Sequence, residues 1–168
     1  MLYGISPDKF ETLKIDSYFP DRKILRIPCS IRKDLHIDLE LPYILSIEIT
    51  NYLSERLNRG SKLLFTKRTS SKIDSSFLKD VLNKIRISYD EKYKNSGFNN
   101  SFTPTGLQKY AIIKMIETGM NQSLIIDFTG QNQDIFNDCQ TIVDEYKKLN
   151  RNRYINHMLR GIDTYDKL

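Results

Sequence analysis

The residues able to do chemistry on their own are few, and their spacing is uninformative. His36 and His157 stand 121 residues apart, which reads as surface or internally satisfied imidazoles rather than ligands. Cys29 and Cys139 are in no metal-ligand spacing and read as buried thiols, not as a disulfide or a zinc site. Tyr146, Tyr154 and Tyr165 offer phenol oxygens, but a tyrosine on a helix is normally a half-buried packing residue. The seven glycines fall singly as helix stops and turns, with no P-loop, no dinucleotide fingerprint, no paired-histidine zinc motif and no nucleophile elbow. Acidic residues form no matched pairs on one helix face for a hard metal. Neither a metal nor a cofactor is expected. Charge is the stronger signal. Net charge is +5, yet residues 56–94 carry eleven Lys and Arg against Asp74, Asp80, Asp90 and Glu91, a local +7. Such a surface concentrates polyanions and favours nucleic acid over acidic small molecules.

Local patterns define the elements that would position these groups. Ser6-Pro7 is a helix start, with a capping hydroxyl followed by a residue that needs no amide partner, and the pattern predicts a helix to about residue 15. Residues 23–27 and 36–41 alternate apolar and polar, which predicts two half-buried antiparallel strands. Pro42 opens a second helix whose Ile44, Leu45, Ile47, Ile49, Tyr52, Leu53 and Leu57 predict a broad apolar face before Gly60. Residues 62–67 read as a short extended piece. Ser75-Ser76 caps a helix with Phe77, Leu78, Val81, Leu82 and Ile85 inward, and residues 90–101 read as a polar, mobile loop. Thr103-Pro104 repeats the start signature for a helix closed by Gly119. A short buried helix over residues 122–128 then ends at Gly130, followed by amphipathic helices over 134–149 and 151–160. The sum is α+β, mainly helical, with a small antiparallel sheet near the N-terminus.

With 168 residues, the chain fits one domain, residues 1–168, able to bury a core without disulfides or metals. Apolar residues make up 39% and charged residues 28%. With no run of eighteen apolar residues and no apolar leader, a membrane span and a secretory signal are not expected, and the cytoplasm is the expected compartment.

This order of elements resembles the catalytic domain of tyrosine recombinases (phage integrases), and four strings carry the resemblance. Gly4-Ile5-Ser6-Pro7-Asp8-Lys9-Phe10-Glu11-Thr12-Leu13-Lys14-Ile15-Asp16 resembles the family's G-[LI]-R-x-x-E-[LI]-x-x-L-x-W-x-D stretch, with Ser6 where the first arginine belongs. Ile27-Pro28-Cys29-Ser30, through to Leu41-Pro42, resembles the β-hairpin that carries the family's lysine, with Ser30 about at its place and Arg32 and Lys33 beside it. Thr103-Pro104-Thr105-Gly106-Leu107-Gln108-Lys109-Tyr110-Ala111 is similar to the family's T-P-H-x-L-R-H-x-[FA] box, Thr105 replacing the histidine and Gln108 the second arginine. Ile116-Glu117-Thr118-Gly119 and Ile125-Ile126-Asp127-Phe128-Thr129-Gly130-Gln131 resemble its L-x-x-G and I-x-x-x-L-G-H strings. Gln131 takes the histidine's place, 23 residues after Gln108, which is the family interval. The register puts Gln140, or Cys139 on a one-residue slip, at the nucleophilic tyrosine. The resemblance covers nearly the whole chain, without the family's core-binding and arm domains. Only Met1, Leu2 and Tyr3 precede Gly4, so the helix that comes before this motif in the family is expected to be missing or truncated here, the chain being either a stand-alone domain or a piece cut from a longer protein.

The resemblance implies a site where a tyrosine oxygen attacks a DNA phosphodiester, two arginines hold the phosphoryl oxygens, and a histidine and a lysine handle protons. Here those positions are Ser6, Ser30, Thr105, Gln108, Gln131 and Gln140, all neutral. Losing one electrostatic donor costs about 10²- to 10³-fold in rate, and losing the nucleophile removes the covalent route. The expectation is a protein that does not cut DNA. Serine, threonine and glutamine still donate hydrogen bonds to phosphate, and Arg32, Lys33, Lys67, Arg68, Lys72 and Lys109 are the expected backbone contacts. Double-stranded DNA is then the expected partner, in replication, maintenance or recombination of a plasmid, phage or other mobile element. The alternative is a protein-interaction module. Ile155, Met158, Leu159 and Ile162 recur at helical spacing in the tail and would pack in cis, the expected arrangement, or on a second copy or a recombinase partner.

Overall fold

The computed structural model describes residues 3–31, 34–56, 60–67, 72–93 and 103–160. Ser6 accepts a hydrogen bond from the Lys9 amide at 3.3 Å, so α1 (Pro7–Glu11) begins where capping chemistry puts it. It ends four residues earlier than the sequence pattern predicts. Residues 13–15 pair instead with the segment after Gly60: the Leu64 amide donates to the Leu13 carbonyl at 2.8 Å and the Ile15 amide to that of Lys62 at 3.0 Å. The predicted extended piece at residues 62–67 is present as this pairing plus a bridge from Thr66 to Lys72.

Three antiparallel strands follow in spatial order: β1 (Tyr18–Phe19), β2 (Ile24–Pro28) and β3 (His36–Glu40). Leu25 and Ile27 point inward opposite Leu39 and Ile37. On the outer face the directly opposed Arg26 and Asp38 form a two-pronged ion pair at 2.7 and 2.9 Å, which holds the Asp38 carboxyl below the usual carboxylate range.

Helix α2 (Tyr43–Glu55) buries Ser46 and Ile49, and Ile44 and Ile47, predicted on its apolar face, turn outward. The reason is a polar seat that apolar patterning cannot show. The Tyr18 hydroxyl contacts the Ser46 carbonyl at 2.7 Å, the Ser46 hydroxyl at 2.8 Å and the Thr50 hydroxyl at 2.9 Å, and a buried phenol holds such partners strongly. Helix α3 (Ser75–Tyr93) is capped by Asp74, whose carboxylate accepts from the Phe77 amide at 2.8 Å, not by the predicted Ser75-Ser76. Of its predicted inward residues Leu82 is buried, Phe77 and Leu78 are half-buried, and Val81 and Ile85 are exposed. It also runs through residues 90–93, where a loop is predicted, because Asp, Glu and Lys continue a helix without an apolar period. The rest of that predicted loop lies outside the described residues.

The C-terminal half is four helices. Thr103 caps α4 (Pro104–Glu117), Asn121 caps α5 (Gln122–Thr129) and Asn132 caps α6 (Gln133–Leu149), each side chain accepting from an amide two or three residues on. Gly130, in the left-handed region, ends α5. Two cores result. One joins Ile5, Leu13, Tyr18, Leu25, Ile27, Leu41, Ile49, Leu64 and Phe128, and the other joins Ile112, Ile116, Ile125, Phe136, Cys139 and Val143. Both cysteines are buried thiols. Helix α5 gives Phe128 to one core and Ile125 to the other, so its C-terminal end lies on the seam. Helix α7 (Arg151–Arg160) buries no residue. Ile155, Met158 and Leu159, expected to pack in cis, are exposed, and Ile162 lies outside the described residues.

Candidate nucleic-acid interface

Four of the positions matched by sequence, Ser6, Ser30, Gln108 and Gln131, lie along that seam. Gln108, one turn into α4, is buried and donates its side-chain amide to the Ile5 carbonyl at 3.3 Å. The next residue, Ser6, sends its own amide to the Thr129 carbonyl at 2.8 Å, which fastens the start of α1 to the end of α5. Gly130 follows with φ +74°, and a methyl group built on it would stand 3.0 Å from the Ser6 hydroxyl, 3.2 Å from the Ser30 hydroxyl and 3.4 Å from the Lys9 chain. Ser6, Ser30 and Gly130 therefore share one small space. Gln131 is the next residue, its amide donating to the Thr129 hydroxyl at 3.3 Å. Thr105 is exposed on the first turn of α4. Gln140, on α6, bonds along its own helix to Asp144 at 2.8 Å, while the neighbouring Cys139 thiol meets the Lys109 carbonyl at 3.7 Å. All six matched side chains are neutral. Of these, Ser6 and Gln108 are buried, and the Gln108 amide is already held by the Ile5 carbonyl.

Two charged residues that sequence reasoning did not single out hold this seam together. Lys9 stands where the family pattern has its glutamate, and its ammonium donates to the Asp127 carbonyl at 2.6 Å and the Phe128 carbonyl at 2.9 Å. It thereby caps the C-terminal carbonyls of α5, where a cation is favoured. Burial pushes its pKa down, and the negative charge of Asp127 opposes that shift. Asp127 accepts from the Ser30 amide at 2.6 Å and the Ile31 amide at 2.8 Å, which pins the end of the β2 segment to α5. Desolvation acts against its ionisation, but the Ile31 amide, the Cys29 thiol, the Ser30 amide and Lys9 together hold the carboxyl below its ordinary value. The reversal of charge at the motif's glutamate was the signal available for Lys9. Asp127 had none beyond its place in the string.

The cations expected to contact DNA are more committed than their sequence positions suggest. Lys109 pairs with Asp138 at 2.9 Å and Lys67 pairs with Asp74; both remain partly exposed, and such surface pairs exchange partners at little cost. Lys72 is exposed beside the Thr66 bridge. Arg32, Lys33, Arg68 and Tyr165 lie outside the described residues. His36 and His157 are exposed. Among the described residues, no group of three or more His, Cys, Asp or Glu is placed to hold a metal ion, and no helix is long and apolar enough to cross a membrane.

No protein-family model matches the chain, and neither does any curated protein. Solved structures do match. A XerA recombinase aligns with a TM-score of 0.53 and 16% identity over 83% of this chain and 53% of that one. The Tn1549 transposon integrase in complex with transposon right end DNA aligns at 0.59 with 8% identity, over 78% of this chain and 48% of that one. The same integrase with a circular intermediate DNA aligns at 0.57 with 10% identity, over 88% and 55%. The chain spans about half the length of the structures it matches.

Proposed function

From a chain that has the fold of a tyrosine-recombinase catalytic domain, we propose a DNA-binding protein that has given up strand cleavage. The observation that carries this reading is the seam itself. The junction of α1, α4 and α5, where the resemblance puts the family's phosphate chemistry, carries the neutral Ser6, Ser30, Gln108 and Gln131. These side chains can hydrogen-bond a phosphate but cannot neutralise a phosphorane or supply a nucleophile. Lys67, Lys72 and Lys109, together with Arg32, Lys33 and Arg68, are the proposed contacts for the duplex backbone. The neighbouring integrases are seen with DNA, which supports DNA as the ligand class. A role in replication, maintenance or recombination of a plasmid, phage or other mobile element fits such a protein, as does residence in the cytoplasm.

The test is binding of a random duplex at two salt concentrations, with a suicide-substrate assay for covalent adducts run alongside. Salt-steep binding without adducts is the expected result. An adduct would overturn the loss of cleavage, and no binding at low salt would overturn the DNA reading.

A second reading rests on α7. Ile155 and Met158 are 51% and 53% exposed, an apolar pair with no cover among the described residues, and this favours docking on a recombinase partner or a second copy. A complex that forms without steep salt dependence separates the two.

A further inference from the structure

We propose that the cleft between the end of α6 and α7 is a second site, one that takes a nucleotide unit with its base against a tyrosine ring and its phosphate on the surrounding cations. The cleft is a half-open cavity of about 300 Å³ lined by Tyr146, Lys147, Asn150, Arg153, Tyr154 and His157. None of these belongs to the seam or to the cations assigned to duplex DNA, so this inference stands or falls separately from the proposed function.

Charge fixes the sign of the ligand. Among the described residues no carboxylate lines the cleft, and from Lys147 to Arg160 the chain carries five Lys and Arg and no acidic residue. Asp144, one turn before Lys148, is engaged by Gln140. Unlike Lys67 and Lys109, neither Lys147 nor Arg153 is in an ion pair among the described residues. The guanidinium fork of Arg153 matches phosphate oxygens, and the Lys147 ammonium adds a point charge.

The rings fix its shape. Lys147 stands 4.9 Å from the centre of the Tyr154 ring, so one ring face already carries a cation that a phosphate can reach. The Asn150 amide bonds the Tyr146 carbonyl at 3.0 Å, which holds the turn between the two helices and so the spacing of the two phenols. Tyr146 is 55% exposed and lines the cleft. Flat π-faces beside cations select a base joined to a phosphate over a bare inorganic anion. The volume suits a small ligand, at the low end of the range for such sites. A free nucleoside monophosphate and one unpaired residue of a single strand share this chemistry.

The experiment measures anisotropy of a labelled oligo-dT on the full chain, competed by free dTMP, with duplex binding recorded in parallel. Tyr154→Ala and Arg153→Ala are each expected to weaken oligo-dT binding about tenfold, while Tyr154→Phe keeps it. Tyr43→Ala is the control, because Tyr43 is also exposed beneath a lysine, Lys23 at 5.1 Å, but lies on α2; it is expected to change nothing. Competition by dTMP assigns the site to free nucleotides, and its absence assigns it to single-stranded DNA. The proposal is overturned if wild type binds neither, or if Tyr43→Ala and Tyr154→Ala weaken binding equally. All three substituted side chains, Tyr43, Arg153 and Tyr154, are exposed, and circular dichroism confirms that each variant is folded.

Discussion

Replacing Gly130 by alanine tests whether the α1, β2 and α5 termini meet as tightly as described. The backbone there has φ +74°, which costs an L-residue roughly 1–2 kcal/mol. The added methyl also lands 3.0 Å from the Ser6 hydroxyl, tighter than an ordinary van der Waals contact, so the neighbour must give way. That hydroxyl cannot simply rotate away, because it accepts the Lys9 amide at the start of α1, and losing such a cap costs about 1 kcal/mol. Gly119 supplies the matched control. Its φ is +79°, but a methyl there meets nothing within 4 Å, so Gly119→Ala carries the backbone strain alone. Gly130→Ala is therefore expected to lose about 1 kcal/mol more than Gly119→Ala, a further drop in Tm of roughly 2–4 °C for a chain of this size. Differential scanning calorimetry of the two variants beside wild type reads this difference directly. Equal losses would refute the crowding at Ser6 and Ser30, and with it the convergence of the matched positions.

Three further outcomes are expected. Lys9 has a lowered pKa in the folded chain, so between that value and its ordinary value of 10.5 the unfolded chain binds more protons and stability rises with pH. Urea midpoints of wild type and Lys9→Met should accordingly diverge in favour of wild type as pH climbs towards 10.5, and a constant difference would contradict the burial of a charged ammonium. Lys109→Ala is expected to change stability by less than about 1 kcal/mol, since its pair with Asp138 is partly solvated. The same variant should reduce the slope of log affinity for duplex against log salt by about one, and an unchanged slope would remove Lys109 from the interface. Ile112→Ala, at a fully buried position of the second core, is expected to cost about 2–5 kcal/mol in denaturant unfolding, and a loss below 1 kcal/mol would show that this core is loosely packed.

Legibility in the sequence followed the range of the interaction. Thr103-Pro104 and Ser6-Pro7 announced α4 and α1 because a cap bonds an amide three residues on, and Gly130 announced the end of α5 because only its own backbone had to turn. The alternation in β2 and β3 likewise predicted the inward Leu25 and Ile27. Neutral residues at the six matched positions were readable for the same reason, as identities within short strings. Where α1 stops was not readable, because its last residues had the choice of a helical partner or of Lys62 and Leu64, nearly fifty residues away. The facing of α2 was decided by the Tyr18 phenol, 28 residues from Ser46, and the outward turn of Ile44 and Ile47 is its consequence.

The sequence by itself determined the element types, the fold class, the excess of positive charge and the absence of charge at the matched positions. Each is a property of composition or of contacts within one turn or one strand. Only the tertiary structure decided that Lys9 caps α5 across 119 positions, that Asp127 pins Ser30 across 97, and that Lys67 and Lys109 are drawn into ion pairs. Those contacts depend on which surfaces the two cores bring together, and no local pattern encodes a distance through space between residues a hundred positions apart.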